Sequence, residues 1–180
     1  MPKVIVVSGP PASGKTTLAK YLSAQLNLPI LAKDFLKESL LDSLGYSGRE
    51  RSVEIGYAAF QLHLALAREF ASMNINFIYE TAFYKQSTDD IVEALTGCKI
   101  IQVHLQANIE TMLLRAKTRD RHPGHADWYD GYESECREKH EQGVYAPLEI
   151  DGVLIEVDSN NFESDNYKMG IQDVIRAYGY

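Results

Sequence analysis

Four residues in the stretch "VSGPPASGKTTLAK" could do chemistry together: Gly9, Gly14, Lys15 and Thr16 stand at the spacing G-x-x-x-x-G-K-[ST]. Residues of these types at this spacing cradle phosphates. Glycines let the backbone N–H groups turn toward phosphate oxygens, the lysine reaches the terminal phosphates, and the hydroxyl ligates Mg²⁺. Residues Gly9, Pro10, Pro11, Ala12, Ser13, Gly14, Lys15, Thr16 and Thr17 are therefore the candidate nucleotide-binding loop, with ATP and Mg²⁺ as the expected ligands. Ala12 stands where many such loops carry glycine, and its methyl group is accommodated if the backbone there keeps a negative φ.

A carboxylate is needed beside the phosphates if a hydroxyl is to be positioned for attack. Two are candidates, and each follows a short apolar run. In "LAKDFLKESL", Asp34 would accept or orient the proton of an attacking hydroxyl; capping the helix that begins at Phe35 would explain the same residue. In "FIYETAF", Glu80 would hold a metal-bound water or a substrate hydroxyl, with Thr16 as the other metal-side group, and Thr81 adds a hydroxyl nearby. Lys37, one turn beyond Asp34, would meet an anionic group on a substrate or serve as a solvated helix face.

Charge that builds up during phosphoryl transfer calls for cations, and "TMLLRAKTRDRHPGHADW" supplies Arg115, Arg119 and Arg121 ahead of a Gly/Pro loop. Arg119 is the first choice for the transferring group, with Arg115 on the nucleotide and Arg121 and His122 toward the substrate. Basic residues at a helix C-terminus, favoured by its dipole, are the plainer account. His122, His125 and Asp127 lack the fourth ligand that a closed zinc site needs, so they are expected to shape a lid over about 119–130 or to touch substrate. His63 and His104 are expected to be structural. Asp158 or Ser159, after the last strand, would line an adenine pocket.

These residues need a scaffold. The β-branched run 4–7 reads as a strand covered on both faces, followed by a helix over 15–26 with Leu18, Leu22 and Leu26 on one stripe. Further strands are expected over 29–32, 76–79, 99–105 and 153–157. Helices are expected over 35–44 (ended by Gly45), 52–73, 87–95, 109–119, 130–142 and 167–177. The long helix 52–73 would line one face with Ile55, Ala59, Leu62, Leu66 and Phe70 and form a wall of the acceptor pocket. Strands alternating with helices imply an α/β fold, a parallel sheet with helices on both faces, whose ligands sit at the carboxyl ends of the strands.

Bulk properties narrow the function. The chain has 180 residues, 45% of them apolar and 24% charged, enough for one domain with a substantial core. Two cysteines without a CxxC pairing suit a reduced, cytoplasmic setting. No apolar run is long enough to span a membrane, and "MPKVIVVSG" enters the phosphate loop too soon for a signal peptide. The net charge of −7 argues against broad nucleic-acid binding.

The ordered set "GPPASGKTT", "AKDFLKESL", "FIYETAF", "LLRAKTRDRHPGHAD" and "VDSN" resembles the small P-loop kinases related to zeta toxins, chloramphenicol phosphotransferase and the 5′-kinase domain of polynucleotide kinase. The resemblance implies the P-loop nucleoside triphosphate hydrolase fold, with a five-stranded parallel sheet and a lid. It implies Asp34 as the catalytic acid after the second strand, Lys37 where polynucleotide kinases place a basic residue for the substrate phosphate, and Arg115 and Arg119 on the lid helix. Lys37 in place of arginine lacks the bidentate fork, which argues against a nucleic-acid 5′ end as acceptor. The expected activity is ATP-dependent phosphoryl transfer to a hydroxyl of a small molecule, with Asp34, Lys15 and Arg119 catalytic. The alternatives are a polynucleotide 5′-end kinase and a nucleotide switch acting through a protein partner.

Overall fold

The computed structural model describes residues 1–80, 87–125 and 129–179. Thr81 and Asp127, named above, lie outside the described residues, as does part of the expected lid.

Five parallel strands form one sheet in the order β2-β3-β1-β4-β5. They are β1 (Lys3–Ser8), β2 (Ile30–Ala32), β3 (Phe77–Glu80), β4 (Lys99–Gln106) and β5 (Val153–Asp158). The intervening helices are α1 (Lys15–Leu26), α2 (Lys33–Leu44), α3 (Gly48–Ser72), α4 (Thr88–Ala94), α5 (Ile109–Thr118), α6 (Tyr132–Glu141) and α7 (Asp165–Gly179), with a 3₁₀ turn at Pro123–His125. The expected fold class is thus observed, with most element ends within one or two residues of expectation.

The central strand β1 explains the two-sided sheet. Its side chains alternate, so Ile5 and Val7 pack with Leu18 and Leu22 of α1 and with Tyr167, Ile171 and Val174 of α7. Val4 and Val6 pack on the other face with Leu64 and Ala67 of α3 and Ile91 of α4. Removing a fully buried leucine such as Leu22 from this arrangement costs roughly 2–5 kcal/mol, because neighbours collapse only partly into the cavity.

Helix α3 turns the expected face to the core except at one position: Ile55 and Ala59 are buried, and Leu66 and Phe70 pack against the core. Leu62 is 40% exposed, while His63 is fully buried. The imidazole fits because its Nε2–H donates to Leu31 O at 2.9 Å and its ring stacks on Tyr79 at 4.0 Å between centroids. Burial pulls its pKa down to about 4, so it is neutral and structural, as expected. His104 is structural too: its Nδ1 lies 3.0 Å from Ser8 Oγ beneath the phosphate loop.

The site is positioned by strand register. Glu80, the last residue of β3, pairs with Val7 of β1 and with Ala32 of β2. The acid is therefore held between the phosphate loop that follows β1 and the start of α2 that follows β2.

Candidate active site

Gly9 and Gly14 frame the loop. Gly9 has φ 138°, and a Cβ there would meet Leu105 O at 2.5 Å, so only glycine lets the loop pass this close to β4. Gly14, at φ 94°, is the N-cap of α1 and supplies no side-chain cap, which leaves the first-turn N–H groups available to an anion. Ala12 departs from expectation: its φ is 59°, a left-handed conformation that crowds its methyl group.

Lys15 is buried, and its Nζ donates to Gly9 O at 3.0 Å and Pro10 O at 2.6 Å. Burial lowers its pKa to about 8 against the opposing pull of Glu80 and Asp34. Thr16 Oγ1 stands 3.5 Å from Glu80 Oε2. Burial lifts the Glu80 carboxyl to about 7, opposed by Lys15. These two oxygen donors would suit a hard cation such as Mg²⁺.

Asp34 is not the cap of its helix. The N-cap of α2 is Ala32, and Asp34 lies in the first turn. Its Oδ2 accepts from Arg121 Nη2 at 3.1 Å, and Lys33 Nζ is 3.8 Å from its Oδ1. Burial alone would raise its pKa; Arg121, Lys33 and His125 outweigh that and hold the carboxyl well below the usual range.

The segment carrying Arg121 is docked onto α2 and α3. His122 Nε2–H donates to Asp42 at 3.0 Å while its Nδ1 accepts from Gly124 N at 3.1 Å. A Cβ on Gly124 would lie 2.9 Å from Leu41 Cδ1, so the turn is wedged tightly. Ser52 Oγ donates to His125 O at 2.8 Å and accepts from Lys37 Nζ at 2.9 Å. Lys37 is thus a buried member of this docking network rather than a solvated face.

A cleft of about 1310 Å³ collects these groups: Lys15, Thr16, Asp34, Lys37, Glu80, Arg115, Arg119, Arg121 and His122 all line it. Arg119 is the C-cap of α5 rather than a residue within it. Arg115 lies over the Phe162 ring at 4.1 Å, and its Nη2 donates to Asn160 O at 3.1 Å.

Asp158 does not reach the cleft. Its Oδ1 accepts from Asn160 N at 2.9 Å, making a local turn after β5, and Ser159 is buried with its Oγ donating to Gln106 O. Phe162 is the cleft residue from this segment. A lone aromatic within the polar run "SNNFESDN" was the available signal for it. Glu38 was also missed. It lies one turn beyond Asp34 on the same face of α2, a spacing that could have drawn attention to it.

The fold is that of the P-loop kinases, with the nucleotide loop after β1 and acidic residues at the ends of β2 and β3. The chain belongs to the AAA domain family, which its residues 4–130 match. A cytidylate kinase from Sulfurisphaera tokodaii is 32% identical over 123 residues, 67% of this chain and 64% of that one, so the match spans somewhat less than two thirds of that relative's length. The structure of a suspected kinase from Chloroflexus aurantiacus is 31% identical, covers 98% of both chains and superposes with a TM-score of 0.83. Shikimate kinase from Bacteroides thetaiotaomicron shares the fold at 16% identity, with a TM-score of 0.61 over 99% of both chains. These relatives bear out the P-loop kinase part of the resemblance and do not reach its finer grouping with zeta toxins, chloramphenicol phosphotransferase and polynucleotide 5′-kinase. No helix among the described residues is long and apolar enough to cross a membrane.

Proposed function

We propose that the protein is an ATP- and Mg²⁺-dependent kinase that moves the γ-phosphoryl group to a hydroxyl of a small-molecule acceptor. The observation that carries this reading is the position of Asp34, a carboxylate in the same cleft as the Lys15–Thr16 phosphate loop and Glu80. Water attack in a nucleotide switch would not need a carboxylate in the acceptor half of the cleft.

Lys15 and the first turn of α1 would bind the phosphates, and Thr16 with Glu80 would hold Mg²⁺, which supplies charge neutralisation on the phosphate oxygens. Asp34 would accept a hydrogen bond from the acceptor hydroxyl and aim its oxygen at the γ-phosphorus. Held ionised by Arg121, it orients more than it deprotonates. Arg119 and Arg121 would face the charge that spreads over the transferring group. Arg115 with Phe162 offers a flat cationic and aromatic surface to the nucleotide base.

The basic side chains around Asp34 already have partners: Lys33 and Arg121 pair with Asp34 itself, and Lys37 bonds Ser52. That favours an uncharged hydroxyl over a phosphate as acceptor. Transfer to a nucleoside monophosphate is the second reading, favoured by the cytidylate kinase relative.

Incubation with Mg²⁺-ATP and a metabolite extract spiked with nucleosides, nucleoside monophosphates, sugars and aminoglycosides tests both. Mass spectrometry should find one species that gains a phosphoryl group with the wild type and not with Asp34→Asn. ATP consumption without any phosphorylated product would overturn the small-molecule reading.

A further inference from the structure

Arg121 makes a second contact besides Asp34. Its Nη2 lies 2.9 Å from His125 Nδ1, and on the far side of the ring His125 Nε2 lies 2.8 Å from Glu38 Oε1. A guanidinium only donates, so Nδ1 must carry a lone pair and the ring proton must sit on Nε2, where it is donated to Glu38. One guanidinium nitrogen thus points one hydrogen at Asp34 and the other at His125.

We propose that His125 is a positioning residue for Arg121, holding the guanidinium against Asp34 while Glu38 anchors the imidazole from behind. For its catalytic consequence this rests on the roles of Asp34 and Arg121 given above. The hydrogen-bond chain Glu38–His125–Arg121–Asp34 itself rests on geometry alone.

The imidazole is well suited to this because it cannot swing away. Its side chain is 2% exposed, and the backbone on either side is pinned by Ser52 and by the packing of Gly124 on Leu41 and Tyr46. The charged or titratable groups around it are Asp34, Lys37 and Glu38 of α2, and Arg121 and His122 of its own segment, with Ser52 the polar neighbour on α3. Burial, Arg121 and Lys37 favour the neutral ring, while Asp34 and Glu38 favour the charged one; the balance keeps its pKa below the ordinary histidine value. Protonation at Nδ1 would set two donors against each other and remove the contact that holds Arg121 in place.

Three substitutions separate positioning from wedging. The amide oxygen of asparagine reaches about where Nδ1 sits, whereas the amide of glutamine reaches about where Nε2 sits. His125→Asn therefore keeps the acceptor for Arg121, His125→Gln keeps only the contact with Glu38, and His125→Ala keeps neither. Turnover would be followed with Mg²⁺-ATP and the acceptor found in the metabolite screen, or with water as acceptor.

For His125→Gln and His125→Ala, kcat should fall roughly tenfold or more, the scale for losing a group that orients another. The KM for ATP should stay unchanged, and His125→Asn should stay within about threefold of wild type. Equal losses in all three variants, or losses that track melting temperature, would reduce His125 to a wedge.

Nitrogen-15 NMR of the imidazole, assigned by its disappearance in His125→Asn, does not depend on turnover. It should show a neutral ring protonated at Nε2 at pH 7, with a titration midpoint that rises in Arg121→Ala. A charged ring or the opposite tautomer would overturn the proposal even in an active enzyme. The expected tautomer in a chain that transfers no phosphoryl group would uphold the hydrogen-bond chain and remove the kinase reading instead.

Discussion

Arg121 Nη2 and Asp34 Oδ2 lie 3.1 Å apart although 87 positions separate the two residues in the chain. The pair joins the segment after α5 to the first turn of α2, across the mouth of the cleft that holds Lys15 and Glu80. It fixes the carboxylate's direction and keeps it ionised at neutral pH.

Asp34→Asn should leave nucleotide binding intact and lower phosphoryl transfer by roughly 10²-fold, the scale of a positioned acid–base group. The amide still accepts from Arg121 but cannot offer a charged acceptor to a hydroxyl. Titration with a fluorescent ATP analogue and product formation by mass spectrometry check the two halves. Full transfer activity in the variant would make Asp34 a structural partner of Arg121 only.

Lys15→Ala should weaken both binding and transfer, since the ammonium would neutralise ground-state phosphates as well as the transferring group. Lys15 bonds two loop carbonyls, so the melting temperature of the variant has to be measured beside its nucleotide affinity. A folded variant with unchanged affinity would contradict the role given to the loop.

Much of this was legible before the structure because it depends on local pattern. Alternating β-branched residues and four-residue leucine spacings specify strands and helices, and ligand residues of a parallel sheet follow strand ends, which exposes Asp34 and Glu80. What was not legible is non-local. His63 looks polar to a periodicity rule and is buried because Leu31 O happens to face it. Lys37 reads from its own helix as a cation for substrate or as a solvated face, because nothing there announces its bond to Ser52. The Arg121–Asp34 pair depends on how the turn at Pro123–His125 packs, and Asp158 was chosen by residue type at a strand end where the local turn had already claimed it.

Ala12 offers a stability test. An L-residue in the left-handed region costs roughly 1–2 kcal/mol, and glycine there recovers this less the entropy it adds to the unfolded chain, about 0.4–1 kcal/mol. Ala12→Gly should therefore raise the melting temperature by about 2–3 °C for a chain of this size, with nucleotide affinity little changed. A lower melting temperature would mean that the methyl group's packing outweighs its backbone strain.

Glu80 makes the sharpest pH prediction. Burial lifts its pKa from 4.5 to about 7, so between those values the folded chain holds a proton that the unfolded chain has released. The stability this group contributes is present below about pH 4.5 and is lost as pH rises through about 7. Glu80→Gln removes that slope, so the difference in unfolding free energy between variant and wild type should grow in the variant's favour from pH 5 to pH 7. Divalent metal at the carboxylate favours its ionised form. Binding of Mg²⁺-ATP near pH 6.5 should thus release a proton, seen calorimetrically as an enthalpy that varies with the buffer's ionisation enthalpy, and Glu80→Gln should abolish that part of the release. A pH-independent stability difference would mean that Glu80 is already ionised in the folded chain, and proton release unaffected by the substitution would place the metal away from it.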